Sequence, residues 1–127
     1  MKSLDTNIIL RFLLKDVPDQ WPKAAAVISG SSCYVTDAVI AETVFVLEKV
    51  YQAPRDNIAA SLNPFLSFPN LESNVSLLSD MFDLYEKHEA LSIIDCYLAV
   101  EAEAGGNQLV TFDQKLLKHV GEHVIEP

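Results

Sequence analysis

"MKSLDTNIILRFLLK", Met1 to Lys15, contains a complete strand-to-helix step. "MKSL" is a short strand candidate, and Thr6 to Lys15 reads as a helix opened by Asp5 or Thr6 as its cap. Asp5 intrudes between Leu4 and an isoleucine-leucine run, where a fold-forming segment would otherwise keep its apolar stretch unbroken. The same kind of step recurs down the chain, and its recurrence decides the fold class.

"VPDQWPKAAAVISG" reads as a second helix, with Pro18 near its start and Gly30 as its stop. "CYVT", Cys33 to Thr36, is rich in strand formers, and Asp37 after it would cap a long apolar helix from Ala38 to Tyr51. "APRDNIAASLN" is a helix that Pro64 should end or bend, and "NLESN" is a weak strand. Asn74 would cap a helix to about Glu89, and another runs from about Ser92 to Ala104 before Gly105-Gly106. "QLVTF", a short helix Gln114 to His119 and a final "HVI" strand complete the pattern. Short strands separated by helices call for right-handed crossovers and a mainly parallel sheet with helices on both faces. The expected class is α/β, a single-domain α/β/α sandwich over residues 1–127. Ligands of such sheets bind outside the carboxyl ends of the strands, so the strand-to-helix joints matter most.

Composition limits what such a domain can do. Half of the 127 residues are hydrophobic and 21% are charged, which is a globular balance. The net charge of −9, from 18 acids and 9 bases, opposes indiscriminate coating of nucleic acid, so a bound strand would need cations or a local basic patch. Cys33 and Cys96 lie in apolar settings far apart and make neither a zinc spacing nor a disulfide framework. The longest apolar stretches are interrupted by Asp5, Arg11, Glu42 and Asp95, so none reaches the roughly 18 residues of a spanning helix. These features together read as a cytoplasmic protein without a membrane segment.

Most acids, among them Asp16, Asp19, Asp56, Asp80 and Glu122, sit among polar neighbours and read as solvated surface. Four do not. Asp5 follows Leu4, Glu42 lies in "VIAETVFVL", Asp95 in "SIIDCYLAV", and Asp113 directly follows "LVTF". Apolar residues cover most of the circumference around Glu42, and burying a lone carboxylate requires pairing, protonation or a cation. Asp95 stands one turn into a similar helix. Asp5 and Asp113 each come immediately after a strand, so parallel strands would bring both to the carboxyl edge of the sheet. Each acid taken singly has a bland alternative: a helix cap for Asp5 and Asp113, a polar edge with Thr43 for Glu42, a first-turn charge for Asp95. Those alternatives are independent of one another, whereas a shared hard cation such as Mg²⁺, which takes oxygen ligands, accounts for all four at once. One or two such ions held by carboxylates is an arrangement suited to phosphodiester hydrolysis.

With these contexts assembled, the chain resembles a PIN domain, and within that superfamily a VapC-type toxin ribonuclease. "LDTNIIL" resembles the opening motif with the first acid, "TDAVIAETVFVLEKVY" the helix with the second, "SIIDCYLAVEAEAGG" the helix with the third, and "LVTFD" the strand end with the fourth. The resemblance runs from Met1 to about Ile125. It implies a Mg²⁺- or Mn²⁺-dependent endoribonuclease with one or two ions per site and with Asp5, Glu42, Asp95 and Asp113 as catalytic, metal-binding carboxylates. Asn7 and Thr111 match polar positions that support the first and last acids in the family. A homodimer and a small cognate antitoxin partner are further implications of kinship.

The bases show no continuous track. Arg11 and Lys15, four apart on the first helix, and Lys115 near Asp113 are the candidate RNA phosphate contacts, with a solvated surface as the alternative. His88, His119 and His123 read as surface histidines, and Trp21 as a packing residue that could instead stack a base. A haloacid-dehalogenase-like hydrolase with Asp5 as nucleophile would need an aspartate where Asn7 stands. An RNA-processing PIN ribonuclease without a toxin role, and a PIN-like binding module without activity, are the remaining alternatives.

Overall fold

The structure, a computed structural model, describes residues 1–127 and divides into two compact units, Met1–Val75 and Ser76–Pro127. In the first unit, β1 (Lys2–Ser3), β2 (Cys33–Tyr34) and β3 (Leu71–Glu72) form a three-stranded sheet in the order β1-β2-β3. Both pairings are parallel, with Ser3 opposite Tyr34 and Tyr34 opposite Glu72. Helices α1 (Thr6–Leu14) and α2 (Trp21–Gly30) connect β1 to β2, and α3 (Asp37–Lys49) and α4 (Arg55–Leu66) connect β2 to β3. Ile9, Ile28, Val35, Ile40, Val44, Ile58, Leu62 and Phe65 are fully enclosed and form this unit's core.

The second unit takes in α5 (Val75–Lys87) from Ser76 onward, then α6 (Ile93–Ala104), β4 (Leu109–Val110), α7 (Gln114–His119) and β5 (Val124–Ile125). β4 and β5 pair in parallel, with Leu109 opposite Val124. Leu78, Met81, Phe82, Tyr85, Leu91 and Cys96 are its enclosed residues. The class expected from the sequence, α/β with parallel strands, is the one observed. The strands form a three-stranded and a two-stranded ladder, and each strand is two residues long.

Several boundaries differ from expectation for local reasons. Thr36, not Asp37, caps α3: its Oγ1 accepts from the Val39 N–H at 3.1 Å, which puts Asp37 in the first turn, where its charge suits the helix dipole. The second helix starts at Trp21, with Pro22 rather than Pro18 at its first positions, the site where a missing N–H costs nothing. Pro64 does not end α4. The helix runs on to bury Phe65 and Leu66, and Phe65 meets Phe12 and Phe68 at centroid distances of 6.0 and 5.6 Å. Burial of two such side chains contributes about 1.5–3 kcal/mol each, enough to offset the roughly 3 kcal/mol that an interior proline costs.

Asn70 ties the end of α2 to the start of β3. Its amide donates to the Ile28 and Ser31 carbonyls, the latter at 2.6 Å, while its own carbonyl accepts from Cys33 N–H at 2.8 Å. Both cysteines are buried free thiols. No helix is long and apolar enough to cross a membrane.

Candidate functional site

Asp5 leaves the sheet where its ladder ends. The Leu4 N–H bonds the Tyr34 carbonyl at 2.9 Å, Leu4 is buried, and the next residue turns into α1 with φ −85° and ψ 160°. An aspartate at this N-cap position ordinarily accepts a bond from the helix's free N–H groups. Here the Asp5 carboxylate accepts no capping bond and is exposed, which leaves both of its oxygens open at the carboxyl edge of β1. Asn7, on the first turn of α1, is exposed as well, and the neighbouring Thr6 hydroxyl is buried without a hydrogen-bond partner.

Asp113 repeats the placement in the second unit. It follows β4 and caps α7, with Oδ1 accepting the Lys115 N–H at 2.9 Å. The Thr111 Oγ1 accepts the Asp113 N–H at 3.0 Å, so the threonine fixes the backbone that presents the acid. The Thr111 N–H in turn bonds the Ile125 carbonyl at 3.0 Å, which anchors the whole joint to the β4–β5 ladder.

Asp95 is the N3 residue of a reciprocal capping box. Its Oδ2 accepts the Ser92 N–H at 3.0 Å, and its own N–H donates to Ser92 Oγ at 3.1 Å. The first-turn structural role is therefore real. It engages one carboxylate oxygen and orients the other.

Glu42 corrects the expectation of a carboxylate enclosed by apolar neighbours, because it is exposed. Ile40, Ala41, Thr43, Val44 and Leu47 form the buried stripe of α3. Glu42 shares the opposite face with Phe45, which is 53% exposed, and with Lys49. Thr43 is buried but satisfied, donating to the Val39 carbonyl at 2.7 Å. An unburied charge needs no compensation, so the desolvation argument does not apply to this residue.

The first unit thus carries Asp5 and Glu42, and the second Asp95 and Asp113. In kind, these donors suit a hard divalent cation: all are carboxylates, and Asp95 and Asp113 are each aimed by a backbone N–H on one oxygen. No group of three or more His, Cys, Asp or Glu side chains is close enough to hold a metal ion, so the structure assigns no coordination geometry.

The candidate phosphate contacts are placed differently from one another. Arg11 is half-buried: Nη1 lies 3.4 Å from Asp16 Oδ1, and Nη2 donates to the Tyr51 hydroxyl at 3.1 Å. The Lys15 ammonium sits 5.4 Å from the centre of the Trp21 ring, which gives Trp21 a packing and cation–π role. Lys115 is exposed beside Asp113.

Two cavities were not visible in the sequence. One, of about 460 Å³, lies between α1 and α2 and includes Asn7, Arg11 and Lys23 in its lining. The other, of about 430 Å³ in the second unit, is lined by all three histidines together with Asp80, Asp83, Glu103 and Lys87. The histidines are half-buried rather than surface residues, and the His88 and His119 rings lie 5.0 Å apart, tilted by 40°. Burial lowers the His88 pKa, and the nearby His119 and Lys87 lower it further.

An α/β domain with acids at the carboxyl ends of parallel strands belongs to the class that places polar chemistry at strand-to-helix joints. The PIN domain family model matches residues 2–122, and the chain belongs to that family. The match spans both units. No curated protein matches the chain significantly. PIN domains are generally nucleases that act on nucleic acid and use divalent metal ions.

Proposed function

We propose that this PIN domain is a Mg²⁺- or Mn²⁺-dependent endoribonuclease, acting as the VapC-type toxin of a toxin–antitoxin pair. Asp5 carries the proposal most directly: an N-cap aspartate at the end of a parallel strand whose carboxylate makes no capping bond, in a chain of a nuclease family. A carboxylate with no structural employment is available to a cation. Asp5, Glu42, Asp95 and Asp113 are the residues that would hold it. When bound, a divalent cation makes water a better nucleophile at neutral pH and offsets charge on the phosphodiester. The chain's own contribution is positional. Thr111 fixes the backbone of Asp113, Ser92 orients Asp95, and Asn7, two residues after Asp5, supports the first acid. Arg11, Lys15 and Lys115 are the proposed phosphate contacts in an otherwise acidic chain. A homodimer and a small antitoxin partner complete the proposal.

The test is incubation of purified protein with structured and single-stranded RNAs, with Mg²⁺, Mn²⁺ or EDTA, beside Asp5→Asn. Cleavage that needs the cation and disappears in the variant is expected. Undiminished cleavage by Asp5→Asn removes Asp5 from the site, and absence of cleavage by the wild type with every RNA defeats the nuclease proposal. Induced expression separates a toxin from a processing enzyme. A toxin arrests growth in a way that Asp5→Asn relieves, whereas a processing enzyme does not arrest growth.

A further inference from the structure

The cavity between α1 and α2 stands apart in the charge pattern of the molecule. The chain has twice as many acids as bases, yet this lining contains two cations, Arg11 and Lys23, two amides, Asn7 and Gln20, and no carboxylate. Ile8 and Val27 contribute apolar wall. Arg11 is held rigidly there. Asp16 takes Nη1 and the Tyr51 hydroxyl takes Nη2, while that hydroxyl donates to the second Asp16 oxygen at 3.4 Å, closing a triangle around the guanidinium. Its Nε–H is buried with no acceptor in the chain, so the guanidinium still has one unmet hydrogen bond. Lys23 is exposed and forms no ion pair, which leaves its full charge for a ligand.

We propose that this cavity is an anion subsite that holds a backbone phosphate of a single-stranded RNA, with Lys23 and Arg11 as the charged contacts and Asn7 and Gln20 as amide donors. The proposal rests on the nuclease reading and adds a place for the substrate strand. Asn7 and Arg11 are four residues apart on α1, about 6 Å along the axis, and Asn7 is two residues from Asp5. A strand whose phosphate sits between Arg11 and Lys23 is therefore led along α1 toward the Asp5 carboxylate. Two amides and a rigid guanidinium suit phosphate oxygens, and the lining itself carries no carboxylate, the adjacent Asp16 being paired with Arg11.

The test is fluorescence anisotropy of a labelled oligouridylate in EDTA, across a salt series, for wild type, Lys23→Gln and Lys49→Gln. Lys23→Gln removes an exposed side chain from the cavity rim, and Lys49→Gln makes the same charge change elsewhere. The expected result is several-fold weaker binding by Lys23→Gln, with the slope of log K against log salt smaller by about 0.7, and no change for Lys49→Gln. Equal affinity and slope for all three proteins overturns the subsite, as does equal weakening by both variants. Tighter Lys23-dependent binding of an oligoglutamate peptide than of the oligouridylate also overturns it, in favour of a protein ligand. Lys23-dependent RNA binding by a protein that cleaves nothing upholds the subsite and removes the nuclease reading alone.

Discussion

Thr111 shows how a single hydroxyl positions a functional group. It accepts the Asp113 N–H at 3.0 Å, which fixes the chain direction at the N-cap while the Asp113 carboxylate is held by Lys115 N–H. Valine at 111 keeps the shape and loses the acceptor. If Asp113 serves the proposed site, Thr111→Val lowers the cleavage rate by about 10–100-fold, as removal of a ligand-orienting partner does, and Thr111→Ser restores most of it. Cleavage by Thr111→Val at the wild-type rate would detach Asp113 from the chemistry. At this scale the sequence was informative where a residue's role follows from its neighbours along the chain. Asp5 and Asp113 stand where a strand hands over to a helix, and both are N-caps. The exposure of Glu42 is not legible along the chain, because a run of apolar residues hides which of them face inward. Ile40, Val44 and Leu47 do, while Phe45 faces out beside Glu42. Only the partner surface of a helix decides between those two faces.

At the scale of elements, the order of strands and helices followed from turn and cap residues, because these act within a few positions of themselves. Strand length did not follow. "CYVT" reads as four residues of strand, but only Cys33 and Tyr34 pair on both sides, and Val35 is buried by packing while its N–H makes the last bond, to the Glu72 carbonyl. Nor could the sequence show that Asn70 joins two elements some forty residues apart. Its amide satisfies the Ile28 and Ser31 carbonyls at the frayed end of α2, where helix carbonyls lack partners. Asn70→Ala leaves both half-buried acceptors short of a donor, and the expected loss is about 1–3 kcal/mol. Urea unfolding monitored by circular dichroism reads it as a lower midpoint at unchanged m-value. An unaltered midpoint would mean that water replaces the amide at no cost, and that the α2–β3 junction is held by its backbone alone.

Charge balance belongs to the whole molecule, and the two cavities divide it. The α1–α2 cavity is cationic, whereas the histidine-lined one mixes Asp80, Asp83 and Glu103 with Lys87 and three imidazoles. Neither was legible in the sequence, since Lys23 joins Arg11, and His88 joins His119, only through folding. The histidine cavity couples stability to pH. Burial, the nearby His119 and Lys87 all disfavour the His88 imidazolium, so its folded pKa lies below the ordinary 6.5. Between that lowered value and 6.5 the unfolded chain binds more protons than the folded one, and linkage then makes stability rise with pH. This contribution is fully present above about 6.5 and is lost as pH falls through the folded value. Urea midpoints measured between pH 7.5 and 5.5 are expected to fall for the wild type and to fall less for His88→Gln, which has no proton to gain. The same slope in both proteins would show that His88 is as free to ionise in the fold as in the unfolded chain, and that its contact with His119 carries no electrostatic cost.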